Sequence, residues 1–293
     1  MPTSLSVLPI RRLTLGDLIS CADLAEDRGW AREEHRWGLL LTAGTGYGID
    51  DPEGKGLAAV CVITSYDPSG GGRGLAAIGM MLVAGRHNRQ GLGRRLMTHA
   101  LGEAADTPLM LHATEYGRPL YQQLGFTDIG VTETVVGRFR APETAPPVKT
   151  RPAAAGDLPA IVRLDTEVFG ADRTHVIARL PAFADRLRVA EDSSGIIGYA
   201  AAWPTPEAHV IGPLVAADTV TAKSLICSLV SSLAAAPDRP VRTMIDGRHK
   251  ELLVWVKEHG LEQAARTTTM VHGIPDLPGD WTRRFAPLNL ATG

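Results

Sequence analysis

The chain has 293 residues, long for one compact core and comfortable for two domains of about 140 to 150 residues each. Hydrophobic residues make up 44% and charged residues 21%, and the formal net charge of −2 gives no electrostatic reason to expect nucleic acid or an anionic membrane as partner. The three cysteines, Cys21, Cys61 and Cys227, are far apart and form no C-x-x-C pair, which points away from a disulfide framework and from any metal site.

Taken in chain order, Met1 to Arg12 lacks the charged start and apolar stretch of a secretory signal. A short strand leads into Arg11-x4-Gly16-Asp17-Leu18, and helices follow over Leu18 to Asp27 and Arg32 to Leu41. An antiparallel meander runs from Thr45 through the Asp50 to Gly56 turn to Thr64. The loop from Ser69 to Gly74 holds three consecutive glycines and reads as a surface hairpin, because no helix starts after it. The longest apolar run, Leu75 to Ala84, is too short for a bilayer and suits a buried strand; no membrane partner and a cytoplasmic location are expected. Strand–helix–strand–helix–strand completes the half, which places it in a mixed α/β class.

Three prolines within Ala141 to Pro147 read as a linker, giving domains over 1–141 and 148–293. The second half echoes the first. Arg151-x4-Gly156-Asp157-Leu158 repeats the opening, with Ile161 and Leu164 at the offsets of Cys21 and Leu24. Trp255-Val256-Lys257-Glu258-His259-Gly260-Leu261 repeats Leu120-Tyr121-Gln122-Gln123-Leu124-Gly125-Phe126, a helix closed by glycine before a strand. The expected fold is therefore a duplicated α/β domain.

Chemistry concentrates after the strand at Leu75. Leu92, Leu96 and Ala100 recur at helical spacing, and Met97 and Leu101 widen that apolar face, so an amphipathic helix begins at Gly91-Leu92-Gly93. Arg86, Arg89, Arg94 and Arg95 crowd its N-terminus, opposing the helix dipole at about 0.3–1 kcal/mol per poorly placed charge. That cost makes sense where an anion occupies the turn, cradled by free N–H groups and arginines with glycines allowing close approach. The turn is neither a Walker A loop nor G-x-G-x-x-G.

The segment from Met80 to Met97 resembles the central motif of the GNAT acyltransferases, a strand, a Gln/Arg-x-x-Gly-x-Gly/Ala turn and a helix. The resemblance implies that Met81, Leu82 and Val83 line the pantetheine arm of acetyl-CoA. It also implies that Arg89, Gln90, Gly91, Leu92, Gly93, Arg94 and Arg95 wrap the diphosphate. Asn88 stands where the family has Gln or Arg, and Gly85 where it usually has proline. A second stretch, Thr114 to Phe126, resembles the GNAT helix that presents a tyrosine to the thioester sulfur and ends in Leu-Gly-Phe. It implies Tyr121 as the acid and Thr114 at the place of a CoA-contacting Asn. The implied reaction is direct attack by a primary amine of a small molecule on the thioester, with a backbone N–H near Leu82 stabilising the oxyanion.

Protonating the thiolate with an ordinary tyrosine is uphill by about 2 kcal/mol, so a helix N-terminus or an arginine has to lower the Tyr121 pKa, or the thiolate leaves unprotonated. Glu33, Glu34, His35, His112 and Glu115 are candidate bases, with none assigned. The second half has no Gly-x-Gly turn after Leu214-Val215-Ala216, and Val256 stands at the Tyr121 position. It is expected to keep the fold without the cradle or the acid. Asp172 and Arg173 lie in a stretch that looks like one in tandem GNAT proteins, and either reach the substrate or form a helix-start ion pair. Trp30, Trp37 and Trp203 either line an acceptor pocket or pack in the core. Alternatives are a non-catalytic acyl-CoA-binding module, a transferase using another donor such as aminoacyl-tRNA, and a protein-lysine acceptor.

Overall fold

The computed structural model describes residues 8–69, 73–144, 146–233 and 239–293. The three glycines of the Ser69 to Gly74 loop lie outside the described residues, as do 1–7 and Ala145 of the linker. The first half runs β1 (Arg11–Leu13), α1 (Leu18–Asp27), α2 (Glu34–Ala43), β2 (Thr45–Asp50), β3 (Leu57–Pro68), β4 (Leu75–Val83), α3 (Leu92–Ala104), β5 (Leu109–Ala113), α4 (Arg118–Gln123) and β6 (Thr127–Gly137). After a stretch with neither helix nor strand come β7 (Thr150–Pro152), α5 (Leu158–Phe169), β8 (Ala171–Asp172), α6 (Thr174–Ile177), α7 (Leu180–Phe183), β9 (Arg186–Asp192) and β10 (Gly195–Pro204). The chain continues through β11 (His209–Ala216), α8 (Thr219–Ser232), β12 (Val241–Asp246), α9 (Lys250–Glu258), β13 (Leu261–His272) and β14 (Arg284–Ala286).

The repeated opening has a physical cause in both halves. Arg11 pairs with Asp17 at 2.7 Å, and Asp17 accepts the Thr14 amide at 2.8 Å. Arg151 pairs with Asp157 at 2.6 Å, and Asp157 accepts the Ala154 amide at 2.7 Å. Each arginine also reaches a carboxylate further along its half, Asp50 or Glu191. So the Arg-x4-Gly-Asp pattern ties the first strand to the first helix. The closing echo is equally local: Gly125 and Gly260, at φ +88° and +95°, end their helices in the left-handed region that glycine enters freely. Helix α2 starts two residues later than its sequence pattern suggests, because Arg32 spends its guanidinium on Asp23 and Glu34 in the connection.

The strands form one sheet in the order β1-β2-β3-β4-β5-β13-β6-β12-β11-β10-β9-β7, with β14 on β11 and β8 on β3. Strand β13 of the second half lies between β5 and β6, and β6 of the first half lies between β13 and β12. The halves thus exchange their last strands, and no hydrogen-bonded edge separates them. In β3, Val60 and Val62 face the layer of α1 and α2 with Leu24, Trp37 and Leu40, while Cys61 and Ile63 face α3 with Leu92, Leu96 and Met97. A third cluster joins the halves, packing Leu75, Ala77 and Met110 with Phe169, Tyr199 and Trp203. Each such fully buried large apolar side chain contributes about 1.5–3 kcal/mol relative to exposure.

Candidate active site

Strand β4 pairs in parallel with β5 over Ala76 to Ile78 and then leaves it. Its register with β3 shifts between Val60 and Val62, and Met80 opposite that shift has φ +53°. A left-handed non-glycine residue costs about 1–2 kcal/mol, and here the strain sits where the strand bends away and opens a gap. The backbone of 79–83 therefore borders two clefts instead of a neighbouring strand.

The next turn is built from two left-handed residues, Arg89 at φ +59° and Gly91 at φ +83°, which reverse the chain so that α3 starts at Leu92. The first helical hydrogen bond runs from the Arg95 amide to the Gly91 carbonyl at 3.0 Å. The amides of Leu92, Gly93 and Arg94 precede it, so they have no intrahelical acceptor, and the first turn carries no acidic side chain. Asp51 anchors the entry to this turn, accepting from Arg86 Nε and His87 Nε2, each at 2.7 Å. Burial alone would raise the Asp51 carboxyl, but hydrogen bonds from His87, the Glu53 amide and Arg86 outweigh it and hold the group down to about 2.

A cleft of about 550 Å³ follows this turn. Of the residues singled out from the sequence, Met81, Leu82, Val83, Arg89, Gly91, Leu92, Gly93, Arg94, Thr114 and Tyr121 line it. Gln90 and Arg95 do not. The Gln90 amide turns back to the Arg86 carbonyl at 3.3 Å, and Arg95 reaches the Leu8 carbonyl, so their side chains are spent elsewhere. Arg28, Trp30, His87, Asn88 and Tyr116 also line the cleft and were not expected there. Arg28 and Trp30 come from the end of α1 and its connection, a long way back in sequence, and no local pattern marked them. Among the described residues, the guanidiniums of Arg28 and Arg89 form no hydrogen bond or ion pair.

Arg86, one of the four arginines crowding the helix start, is bound to Asp51 and Arg95 reaches the Leu8 carbonyl, which leaves Arg89 and Arg94 at the cleft. The unspent amides, the absence of an acidic cap and the guanidiniums of Arg28 and Arg89 fit a diphosphate. The second half differs at each point. There β14 pairs with β11 at Leu214 and Val215, filling the region beyond the parallel β11–β12 pairing, and Phe285 within it is buried. The Asp218 carboxylate accepts the Thr221 amide at 2.7 Å, so the start of α8 carries its own anion.

Tyr121 is 8% exposed, and burial pushes its phenol up to about 12, with Cys61 adding a little. Of the two alternatives left open by the sequence, a lowered tyrosine or a thiolate that leaves unprotonated, burial goes against the first. No arginine acts on the phenol, because Arg86 is held by Asp51 and Arg94 by Gln123.

A second cavity of about 500 Å³ lies between the halves and shares Trp30, Met81, Thr114 and Tyr121 with the first cleft. Glu33 and His112 line it; Glu34, His35 and Glu115 line neither space. Glu34 is exposed and paired with Arg32, while His35 stacks on Phe183 at 4.3 Å with Nε2 at 2.8 Å from the Phe183 carbonyl oxygen. Burial lowers the His112 imidazole to about 4, and the Thr132 and Thr269 hydroxyls lie 3.3 and 3.4 Å from its Nδ1. Trp203 lines this cavity, Trp30 belongs to both spaces, and Trp37 packs in the core under α1 and α2. Arg173 lines neither: it is fully buried, bidentate to Asp165 at 2.7 and 2.8 Å, and donates to the Gly293 carbonyl at 2.7 Å. Asp172 accepts the Thr174 amide at 2.8 Å. Among the described residues, no group of three or more His, Cys, Asp or Glu side chains could hold a metal ion, and no helix is long and apolar enough to cross a membrane.

Two family models, both described as acetyltransferase (GNAT) domain, match residues 63–139 and 161–286. Together they span the turn at Gly91, most of the cleft that follows it and most of the second half. The chain is 27% identical over 237 residues to the uncharacterized N-acetyltransferase YitH of Bacillus subtilis, covering 78% of this chain and 79% of that protein. It shares its fold with a candidate acetyltransferase of Pyrococcus horikoshii at a TM-score of 0.79 and 19% identity, over 98% of this chain and 96% of that one. A tandem GNAT protein from the clavulanic acid biosynthesis pathway superposes at a TM-score of 0.63 and 13% identity, over 92% and 99% of the two chains.

Proposed function

Because the chain belongs to the GNAT acetyltransferases and carries two such domains in tandem, we propose that its first half moves an acetyl group from acetyl-CoA to the primary amine of a small molecule. The observation that carries this reading is the meeting of two spaces at Trp30, Met81, Thr114 and Tyr121. One space has the unspent amides and arginines a diphosphate requires. The other opens between the halves, on the far side of the same tyrosine.

In this reading Arg89, Gly91, Leu92, Gly93 and Arg94 hold the diphosphate, with Gln90 contributing its backbone. Met81, Leu82 and Val83 offer strand edge to the pantetheine arm, and Thr114 borders the thioester. The amine lone pair attacks the thioester carbonyl, a backbone N–H near Leu82 stabilises the oxyanion, and collapse breaks the carbon–sulfur bond. With its phenol near 12, Tyr121 cannot pass its proton fully to a thiolate of pKa about 8.5 without climbing about 5 kcal/mol. Tyr121 therefore stabilises the departing sulfur as a hydrogen-bond donor, and solvent supplies the proton. His112, held near 4 by burial, is by the same arithmetic too weak a base to keep an amine's proton, so the proton that the attacking amine loses passes to solvent.

The test is release of the CoA thiol from acetyl-CoA in the presence of small primary amines, with Tyr121→Phe beside the wild type. Amine-dependent release that collapses in the variant supports transfer. Tight acetyl-CoA binding with no release for any amine would favour a binding module instead.

A further inference from the structure

The interdomain cavity has a distinctive stock of unspent hydrogen-bonding groups. Arg36 Nε, Trp203 Nε1 and Asn289 Nδ2 are buried donors without a partner, contributed by α2, β10 and the segment after β14. Trp203 and Asn289 are 1% and 2% exposed, so water does not satisfy them from outside. Unpartnered buried donors are uncommon in native proteins, and three N–H donors around one cavity, with the unpartnered Thr267 hydroxyl beside them, call for a ligand that brings acceptors. Glu33 Oε2 is the unspent anionic acceptor beside them, 3.3 Å from Arg36 NH1.

The charges sharpen the class of ligand. The Arg36 side chain makes no hydrogen bond among the described residues, and its one ion pair is the 3.3 Å approach to Glu33. Burial works against its charge, Glu33 offsets part of that cost, and Arg242 nearby adds repulsion. Arg242 in turn meets Glu207 at 2.8 Å on the exposed side. Two guanidiniums facing one cavity, one of them barely paired, suit a planar carboxylate that takes a bidentate grip. An apolar stretch of the wall is formed by Ile78, Met80, Leu111 and Met244, beside the polar His112, Thr114, Thr134 and Thr267.

We infer that the acceptor is an amino carboxylic acid on a sizeable apolar skeleton, its carboxylate held by Arg36 with Arg242, Trp203 and Asn289 donating around it. Its ammonium meets Glu33, three residues after the Trp30 that borders both spaces. This inference rests on the transferase reading and deepens it. Glu33 and Glu207 would repel a dianionic ligand, so the fit is to one carboxylate and one ammonium.

The experiment compares matched pairs on the full chain, phenylalanine against phenethylamine and leucine against isoamylamine, by thiol release from acetyl-CoA. Calorimetry of phenylalanine binding is run without acetyl-CoA. The expected result is a kcat/KM at least about tenfold higher for the carboxylated member of each pair. Arg36→Met should bring that ratio close to one and Arg36→Lys should restore part of it, while the acetyl-CoA thermal shift confirms that the variants fold. A wild type that prefers the decarboxylated amines, or a ratio untouched by Arg36→Met, would overturn the inference and leave the transferase reading standing. Phenylalanine binding that depends on Arg36 but gives no turnover would support the ligand class and sink the transferase reading.

Discussion

Gly79 of β4 and Ala291 of the segment after β14 are in backbone contact: a β-carbon on Gly79 would fall 2.3 Å from the Ala291 Cβ and 2.4 Å from its Cα. Gly79 is the first residue of β4 beyond its parallel pairing with β5. A piece of the second half therefore braces the strand whose end borders both clefts. The same segment meets Gly212 of β11, where a β-carbon would fall 2.3 Å from the Pro287 carbonyl oxygen.

Gly79→Ala should accordingly be costly, because backbone cannot move aside as a flexible side chain can. We expect a loss of about 1–3 kcal/mol, read as a thermal midpoint several degrees lower, together with weaker binding of acetyl-CoA. A midpoint and an affinity equal to the wild type would show that the contact braces nothing.

Tyr121→Phe keeps the buried ring and removes the hydroxyl. The expected outcome in steady-state kinetics is a kcat lower by about 10²–10³ with little change in the KM for acetyl-CoA. With the phenol near 12, Tyr121 stays protonated through pH 10, so the wild-type profile should have no basic limb that disappears in the variant. A limb near pH 9 that vanishes with the hydroxyl would contradict the assignment.

His112 gives a stability signature with a definite sign. Its folded pKa of about 4 lies below the 6.5 of the free side chain, so between these values the unfolded chain binds more protons than the folded one. Stability is therefore lost as pH falls from about 6.5 towards 4, by about 2 kcal/mol from this group between pH 7.5 and 5. Urea midpoints of wild type and His112→Asn at both pH values measure it. The variant should lose less on acidification, and equal losses would refute the burial argument.

Asp165 carries a fully buried network, accepting from Arg173 in two bonds and from the Tyr199 hydroxyl. Asp165→Asn leaves the arginine charge buried without its counter-charge, which costs about 3–5 kcal/mol. Chemical denaturation at neutral pH should register that loss. A variant as stable as the wild type would mean that the neighbouring carbonyls satisfy Arg173 unaided.

Local chemistry was legible from the sequence, and long-range assembly was not. The repeated Arg-x4-Gly-Asp announced itself because one short ion pair creates it in each half. The Gly91 turn was readable because a left-handed residue, a helical apolar period and an arginine cluster sit within ten positions of one another. The strand exchange was hidden, since β6 and β13 carry an ordinary strand pattern whichever neighbour they pair with. Arg28 was missed for the same reason, and Trp30 was named for an acceptor pocket but not for the cleft at the turn: α1 and its connection are brought there by tertiary packing. Tyr121 stood out in the sequence, but the direction of its pKa could not be read there, because the arginines nearest in sequence are bound to Asp51 and Gln123 and leave burial to set it.

The most direct measurement is the thermal midpoint of the full chain with and without acetyl-CoA, beside Gly91→Asp. The substitution puts a carboxylate on a left-handed residue at the start of α3, where the cleft is open and no protein atom lies within 4 Å of a β-carbon. Ligand at about 100 times Kd should stabilise the wild type by about 2.7 kcal/mol and raise its midpoint by several degrees. The account predicts that rise in the wild type and its loss in a folded Gly91→Asp. No rise in the wild type, or a rise that survives the substitution, would contradict a donor site on the first-half turn.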